Sequence, residues 1–203
     1  MSDRMALKVA IDLMHVPSQV RLHRSGPLPD GVLQLLRIAA GDDEAETSAA
    51  LVLDRSRDTV RQAAAFFIEQ ILFAPNADSY RVLGASPQAT AAELRRNVAL
   101  LLRWLHPDLD PQGERSVFIG RVTTAWNDLK TPDRRAAYDE QLRHVQERVS
   151  RSGKSRSRRS GNGKRLHGGQ PSWASRHRPR PQDVGQVGFL RRALSILLYW
   201  RLQ

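Results

Sequence analysis

Residues 91–129 read AAELRRNVALLLRWL, HPD, LDPQGERSVFIGRVTTAWNDL, so two segments with helical periodicity flank the tripeptide His106-Pro107-Asp108. Each segment repeats apolar side chains every three or four residues, the spacing that places them on one helical face. In the first segment these residues are Leu94, Val98, Leu101 and Leu105. In the second they are Ile119, Val122, Ala125, Trp126 and Leu129. The pattern predicts two antiparallel helices that bury these faces against each other.

The ends of the two helices are also indicated. Thr90 and Glu93 have the spacing of a capping box at the start of the first helix. Pro107 disfavours the helical conformation at His106, so the first helix should end there. Residues 109–113 contain Pro and Gly and keep the connection non-helical. The tripeptide is therefore expected at an exposed tip.

The residue types at the tip define what it can bind. Asp108 is an anionic acceptor suited to a partner's Arg or Lys side chain. Pro107 stiffens the loop and lowers the entropy lost on binding, and His106 can donate or accept a hydrogen bond. Catalysis is not indicated, because the chain has no Cys, no Gly-x-Ser-x-Gly motif and no second acid or His at a fixed spacing. Taken alone, the tripeptide favours an ordinary polar turn.

The flanking blocks point to a more specific interpretation. They are YRVLG at 80–84, ATAAELRR at 89–96, AWNDL at 125–129 and DRRAAYD at 133–139. Their order and spacing, with His106 thirteen residues beyond Glu93, resemble the J-domain of the DnaJ co-chaperone family over about residues 78–143. We refer to this range as the J-like segment.

The resemblance implies a mainly α fold, a four-helix module whose second and third helices present the tip. It implies binding to a DnaK-type heat-shock chaperone, stimulation of that partner's ATP hydrolysis and contact with an unfolded client, without enzymatic activity or a cofactor of its own. The partner-binding residues implied are His106, Pro107, Asp108 and Arg95. Arg96 and Arg103, on the same helix, are added as partner-binding candidates because they can supply further positive charge. The core residues implied are Tyr80, Leu83, Leu94, Leu101, Ile119, Val122, Ala125, Trp126, Leu129 and Tyr138.

Three residues depart from the family pattern. Val98 stands where the family usually has Tyr, and Ala99 and Leu100 stand where it usually has Lys or Arg. Because the partner's docking surface is acidic in that family, the loss of two charges should slow electrostatically steered association. Leu100 also lies outside the apolar face of its helix. It is either a lone exposed Leu or a residue covered by another part of the chain.

The predicted segments are an N-terminal, mostly helical accessory segment (1–77), the J-like segment (78–143), a disordered basic linker (144–187) and an apolar C-terminal helix (188–203). In the first, helices are expected over about 30–40, capped by Asp30, and from Asp54 or Ser56 to Phe73. Residues 5–14 fit a helix or a strand, and 17–29 fit a loop. Phe66 and Phe67 are expected in the core, and the last helix is expected to dock on the J-like segment.

Composition limits the other function classes. The chain has 203 residues, a net charge of +11 and no Cys, which excludes disulfides and Cys-ligated zinc. The six His residues lack ligand spacing, so no metal is expected. Asp3, Arg4, Lys8 and Asp12 interrupt the first apolar run, so no signal peptide is expected. No window reaches the ~20 apolar residues that a membrane span needs, so no span is expected. A cytoplasmic location follows as the default, with peripheral membrane contact as a variant.

The excess charge lies in one stretch. Residues 148–180 contain eleven Lys or Arg and no Asp or Glu. This stretch suits either a solvated linker or non-specific binding to RNA or another anionic surface. Residues 188–202 are mostly apolar and suit either protein packing or an anionic membrane interface. An alternative function is therefore a scaffold with a degenerate J-like fold that binds RNA or a membrane through residues 148–203.

Overall fold

The computed structural model describes residues 4–109 and 112–159, and all regular structure within these ranges is helical. The expected mainly α fold is confirmed. The helices are α1 (Met5–His15), α2 (Val20–Ser25), α3 (Val32–Ala39), α4 (Asp43–Leu53), α5 (Arg57–Phe67), α6 (Ser79–Val82), α7 (Ala91–Trp104), α8 (Ile119–Leu129) and α9 (Pro132–Arg159). A π-helical turn, Ile68–Leu72, continues α5, and 3₁₀ turns span Pro17–Gln19 and Glu114–Phe118.

Helices α7 and α8 form the predicted hairpin. The four apolar residues of the α7 face are all buried, as are the predicted residues of α8 except Trp126, which is half-buried. Thr90 and Glu93 form the predicted capping box: the Thr90 hydroxyl accepts from the Glu93 N–H, and the Glu93 carboxylate accepts from the Thr90 N–H. Helix α7 ends at Trp104, two residues before His106.

Residues 4–77 form a helical unit around α5, which we call the accessory unit. Helices α1, α3 and α4 all pack against α5. The predicted inward face of α5 and its continuation is completely buried, with Val60, Ala64, Phe67 and Ile71 at 0% exposure. Residues 5–14 are helical, which decides between the two interpretations of that stretch.

Several details differ from the predicted elements. The predicted loop over 17–29 contains α2. Helix α3 begins after Gly31, whose φ of 91° is in the left-handed region, and Asp30 does not cap it. Helix α4 was not predicted, although Asp42 caps it by accepting from the Ala45 N–H.

Helix α4 is held by a buried carboxylate. Glu46 is 2% exposed, and its oxygens accept from Arg57 Nη2 at 3.1 Å and from Arg61 Nη2 at 2.8 Å. Both arginines belong to α5, so the pair of bonds ties α4 to α5. A buried carboxylate needs such partners, because an unpaired one would carry a large desolvation cost.

The accessory unit and the J-like segment share one hydrophobic core. Helix α3 packs against α7, and the ring of Phe73 lies 6.0 Å from that of Trp104 and 4.8 Å from that of Phe118, measured between centroids. The Arg121 guanidinium on α8 donates to the carbonyls of Phe73 and Ala74, the second at 2.6 Å. The docking expected for the last accessory helix is therefore observed.

Gly84, at the end of the YRVLG block, lies in this interface. Its φ is 61°, a region that favours glycine, and a Cβ placed there would lie 2.9 Å from Val32 Cγ1. The same Cβ would lie 3.4 Å from the side chains of Leu36 and Leu72. A side chain at position 84 would therefore strain the turn and push the accessory unit away.

Leu100 is half-buried and packs against the shared core. Its neighbour Ala99 is exposed. This supports the interpretation that another part of the chain covers Leu100, rather than that of an isolated surface leucine.

Helix α9 extends to Arg159 and so differs from the linker predicted over 144–187. The helix is nucleated beside α8, no Pro follows until residue 171, and Arg, Gln and Glu propagate helices well. Residues 160–187 and the apolar segment 188–203 lie outside the described residues. Within the two described ranges, no helix combines the length and the apolar character that a bilayer crossing needs.

We predict that Leu100→Arg lowers the free energy of unfolding by about 1–2 kcal/mol, because it places a charge against the shared core. Ala99→Arg adds the same side chain one residue earlier, on the exposed side of α7. It should change the free energy of unfolding by less than about 0.5 kcal/mol. Urea denaturation followed by circular dichroism measures both. Equal effects of the two substitutions would contradict the burial of Leu100.

Candidate partner-binding site

The tip is a short hydrogen-bonded turn that points to solvent. The His106 N–H donates to the Arg103 carbonyl at 3.1 Å, and the Leu109 N–H donates to the His106 carbonyl at 2.9 Å. The Asp108 side chain is 87% exposed and that of His106 is 32% exposed. The carboxylate of the tip is thus presented on a formed turn rather than turned into the protein.

His106 and Asp108 contact each other within the turn. Nδ1 of His106 lies 3.3 Å from the backbone nitrogen of Asp108 and 3.2 Å from its Oδ2. With Nδ1 unprotonated it accepts the Asp108 N–H, and with Nδ1 protonated it donates to the carboxylate. In either state the imidazole restrains Asp108 locally.

A basic face runs along α7 towards the tip. It consists of Arg95, Arg96 and Arg103, all exposed. Helical geometry places them on one side, together with Ala99, because residues three and four apart are neighbours. The buried residues of α7 lie on the other side, so the accessory unit leaves the basic face exposed.

A polar network anchors the short helix α6 to α9. The Ser79 N–H donates to the Tyr138 hydroxyl at 2.7 Å, and the Tyr80 hydroxyl donates to Asp139 at 2.7 Å. Arg135 Nε donates to the Tyr80 oxygen at 2.9 Å. Burial raises the pKa of Tyr80, and the acceptor Asp139 raises it further. Tyr80 and Tyr138 are thus fixed in the places that the resemblance implied.

Asn97 joins α7 to the end of α6. Its buried Nδ2 donates to the carbonyls of Leu83 and Gly84 at 3.0 and 3.2 Å. Its Oδ1 is buried without a hydrogen-bond partner. These two hydrogen bonds fix α7 against the end of α6. They thereby help to fix the position of the tip, which follows α7.

Arg115 lies beside the tip and was not identified as a site residue from the sequence. Arg115 donates to the Leu109 carbonyl, and its guanidinium carbon lies 4.9 Å from the centroid of the Trp104 ring. Arg115 also faces Glu69 of the accessory unit, with Nε 3.8 Å from Oε1. No local pattern pairs positions 69 and 115, because their proximity depends on how the accessory unit docks.

The accessory unit also forms one wall of a cleft next to the tip. The cleft has a volume of about 460 Å³ and is lined by Asp108, Leu109 and Trp104 on one side. Asp43 and Ala65 are among the residues that line the other side. A partner that contacts Asp108 therefore also approaches the accessory unit.

The described residues of this segment thus form a helical hairpin that presents an acidic tip beside a basic face. Residues 78–139 match the family model described as DnaJ domain. This part of the chain is a J-domain of the DnaJ family, and the resemblance is confirmed for it.

The curated relatives match over the same region. The chain is 40% identical over 63 residues to chaperone protein DnaJ of Leifsonia xyli subsp. xyli, 33% over 70 residues to chaperone protein dnaJ 50 of Arabidopsis thaliana, and 36% over 62 residues to the curved DNA-binding protein of Coxiella burnetii. The matches cover 31%, 34% and 30% of this chain and 17%, 23% and 20% of those relatives. The chain thus spans less than a quarter of their lengths. No solved structure matches it significantly.

Acid should weaken the start of α7. The N–H and the hydroxyl of Thr90 both donate to the Glu93 carboxylate and lower the pKa of Glu93 below its ordinary value of 4.5. This contribution to stability is present above pH 4.5 and is lost as the pH falls below that value.

We predict that Glu93→Gln reduces the loss of stability between pH 7 and acid. Gln keeps an acceptor oxygen for the capping box but has no charge to neutralise. Urea denaturation at several pH values measures how steeply the free energy of unfolding falls with decreasing pH in the unchanged protein and in Glu93→Gln. Identical slopes would contradict a role of the Glu93 charge in holding α7.

Proposed function

We propose that this protein is a J-domain co-chaperone that binds a DnaK-type chaperone and stimulates its ATP hydrolysis. The observation that carries the proposal is an exposed Asp108 on a preformed turn, next to the basic face. ATP hydrolysis takes place on the partner, and the chain supplies contacts without catalysing a reaction itself. Its role would be to assist protein folding or to direct the partner to a specific, unfolded client.

The tip would act as an anionic anchor. The Asp108 carboxylate is 87% exposed, so it can accept charge-assisted hydrogen bonds from a cationic groove of the partner with little desolvation before contact. Pro107 and the turn hydrogen bonds reduce the conformational freedom that binding would otherwise remove. The tip thus contributes both charge and preorganisation.

The basic face would steer association. Arg95, Arg96 and Arg103 are exposed on one side of α7, and an acidic partner surface would attract them over about one Debye length. Ala99 interrupts this face, and Leu100 is directed towards the shared core. The attraction should therefore be weaker than in relatives that carry basic residues there, and association slower.

We predict that His106→Gln abolishes most of the stimulation of a DnaK-type ATPase while the fold is retained. The side chain supports Asp108 from within the turn and is partly exposed, so its replacement should leave the core intact. Single-turnover ATP hydrolysis with increasing co-chaperone measures the effect. His144→Gln, an exposed substitution on α9, should stimulate like the unchanged protein.

Two results distinguish the J-domain co-chaperone from the alternative, a scaffold that acts through residues 148–203. Equal stimulation by the unchanged protein and by His106→Gln would contradict the proposal. A protein that lacks residues 148–203 should stimulate normally, because the proposed contacts lie in the J-domain. A loss of stimulation on this deletion would contradict that placement, and a loss of RNA retention or of localisation would favour the alternative in which residues 148–203 bind RNA or a membrane.

We also predict that Ala99→Arg accelerates association with the partner by about two- to fivefold at low ionic strength. The added charge restores a continuous basic face between Arg95 and Arg103. Stopped-flow binding at increasing salt measures the rate. The difference from the unchanged protein should shrink with salt, and a difference that persists at high salt would contradict an electrostatic origin.

A further inference from the structure

We propose that the accessory unit is a working part of the tip site, and that Arg115, held by Glu69, is the residue that positions the tip loop. The inference rests on the proposed function for the role of the tip. It assigns to residues 4–77 a part in the interaction that the J-domain match does not cover, since that match begins at residue 78.

Three of the contacts of Arg115 connect the loop, the end of α7 and the accessory unit. Nη1 donates to the Leu109 carbonyl at 3.2 Å, directly after Asp108 in the chain. The guanidinium carbon lies 4.9 Å from the centroid of the Trp104 ring at the end of α7. Nε lies 3.8 Å from Glu69 Oε1. A planar guanidinium can use its edge for acceptors and its face for a ring at the same time, which an ammonium group cannot.

Glu69 gives Arg115 a rigid support. It belongs to the π-helical turn Ile68–Leu72, and Ile68, Ile71 and Leu72 of this turn are completely buried. The side chains of Glu69 and Arg115 are 34% and 29% exposed, so solvent screens their attraction less than that of a fully exposed pair. The position of Arg115 is therefore set by the core of the accessory unit.

The Leu109 side chain faces the accessory unit. It is 39% exposed and lines the cleft together with Gly41, at the end of α3. Leu109 is thus held through its carbonyl by Arg115, while its side chain stays on the side of the accessory unit. Since Leu109 follows Asp108 directly, the bond to Arg115 restrains the backbone that carries the Asp108 carboxylate.

The pair is not needed to hold the two parts of the chain together. The shared core, with the ring contacts of Phe73 and the close approach of Val32 to Gly84, already joins them. Arg121 adds hydrogen bonds to the carbonyls of Phe73 and Ala74. Removal of the Glu69 charge should therefore loosen the loop without separating the accessory unit from the J-domain.

The experiment compares Glu69→Gln with the unchanged full-length chain. Glu140→Gln is the matched control, because it removes the same charge from exposed pairs on α9, 3.4 Å to Arg143 and 3.4 Å to His144, away from the tip. Two quantities are measured: the hydrogen-exchange rate of the Leu109 amide, and the co-chaperone concentration that gives half-maximal stimulation of a DnaK-type ATPase.

For Glu69→Gln we expect several-fold faster exchange and a half-maximal concentration raised by about three- to tenfold, with maximal stimulation little changed. A raised half-maximal concentration with an unchanged maximum is the result expected when the free loop is less preorganised for binding. Arg115→Gln should have a larger effect, because it also removes the bond to the Leu109 carbonyl. Arg115→Lys should lie between Arg115→Gln and the unchanged chain, and Glu140→Gln should match the unchanged chain.

The outcomes separate this inference from the proposed function. Stimulation by the unchanged chain, together with unchanged exchange and unchanged half-maximal concentration in Glu69→Gln, overturns the positioning role alone. An absence of stimulation by the unchanged chain overturns the proposed function, and the exchange rates then still decide whether Glu69 and Arg115 restrain the loop. An equal change in Glu140→Gln would assign the effect to altered net charge and also overturn the inference.

Discussion

Helix α7 must bury apolar side chains over about half of its circumference, and this requirement organises the rest of the structure. The face formed by Leu94, Val98, Leu101 and Leu105 is covered by α8, as in any two-helix hairpin. Trp104 lies outside that face and is still only 2% exposed. A two-helix hairpin cannot cover both sides, so the accessory unit is needed to complete the core around α7.

This shared core explains why the tip is both exposed and fixed. The tip follows the end of α7 directly, so whatever fixes α7 also fixes the base of the loop. The ring of Phe73 on Trp104 and the hydrogen bonds from Arg121 hold that base from the accessory unit. The polar residues of the tip can then remain in solvent without taking part in the core.

Much of this organisation could be predicted from the sequence, because it depends on local patterns. The hairpin, the capping box and the inward face of α5 follow from spacings of three and four residues. Helix α4 could not be predicted in the same way, since its buried Glu46 depends on Arg57 and Arg61 beyond its own end. The contact between Glu69 and Arg115 is even harder to predict from the sequence. The two residues are 46 positions apart, and they meet only because of the way the accessory unit docks on the J-like segment.

The residues of the candidate site also differ in how much the folded state depends on them. Asp108 is 87% exposed and touches the protein mainly through His106, so its side chain contributes little to the folded state. Trp104 and Gly84 are the reverse, because both lie in the shared core, although Trp104 also lines the cleft beside the tip. Arg115 connects the two groups. It contacts the Trp104 ring and the Glu69 carboxylate on the side of the core, and it donates to the Leu109 carbonyl in the loop. With this arrangement, the exposed residues of the tip and of the basic face can be replaced without rebuilding the core, whereas a replacement of Arg115 alters contacts on both sides.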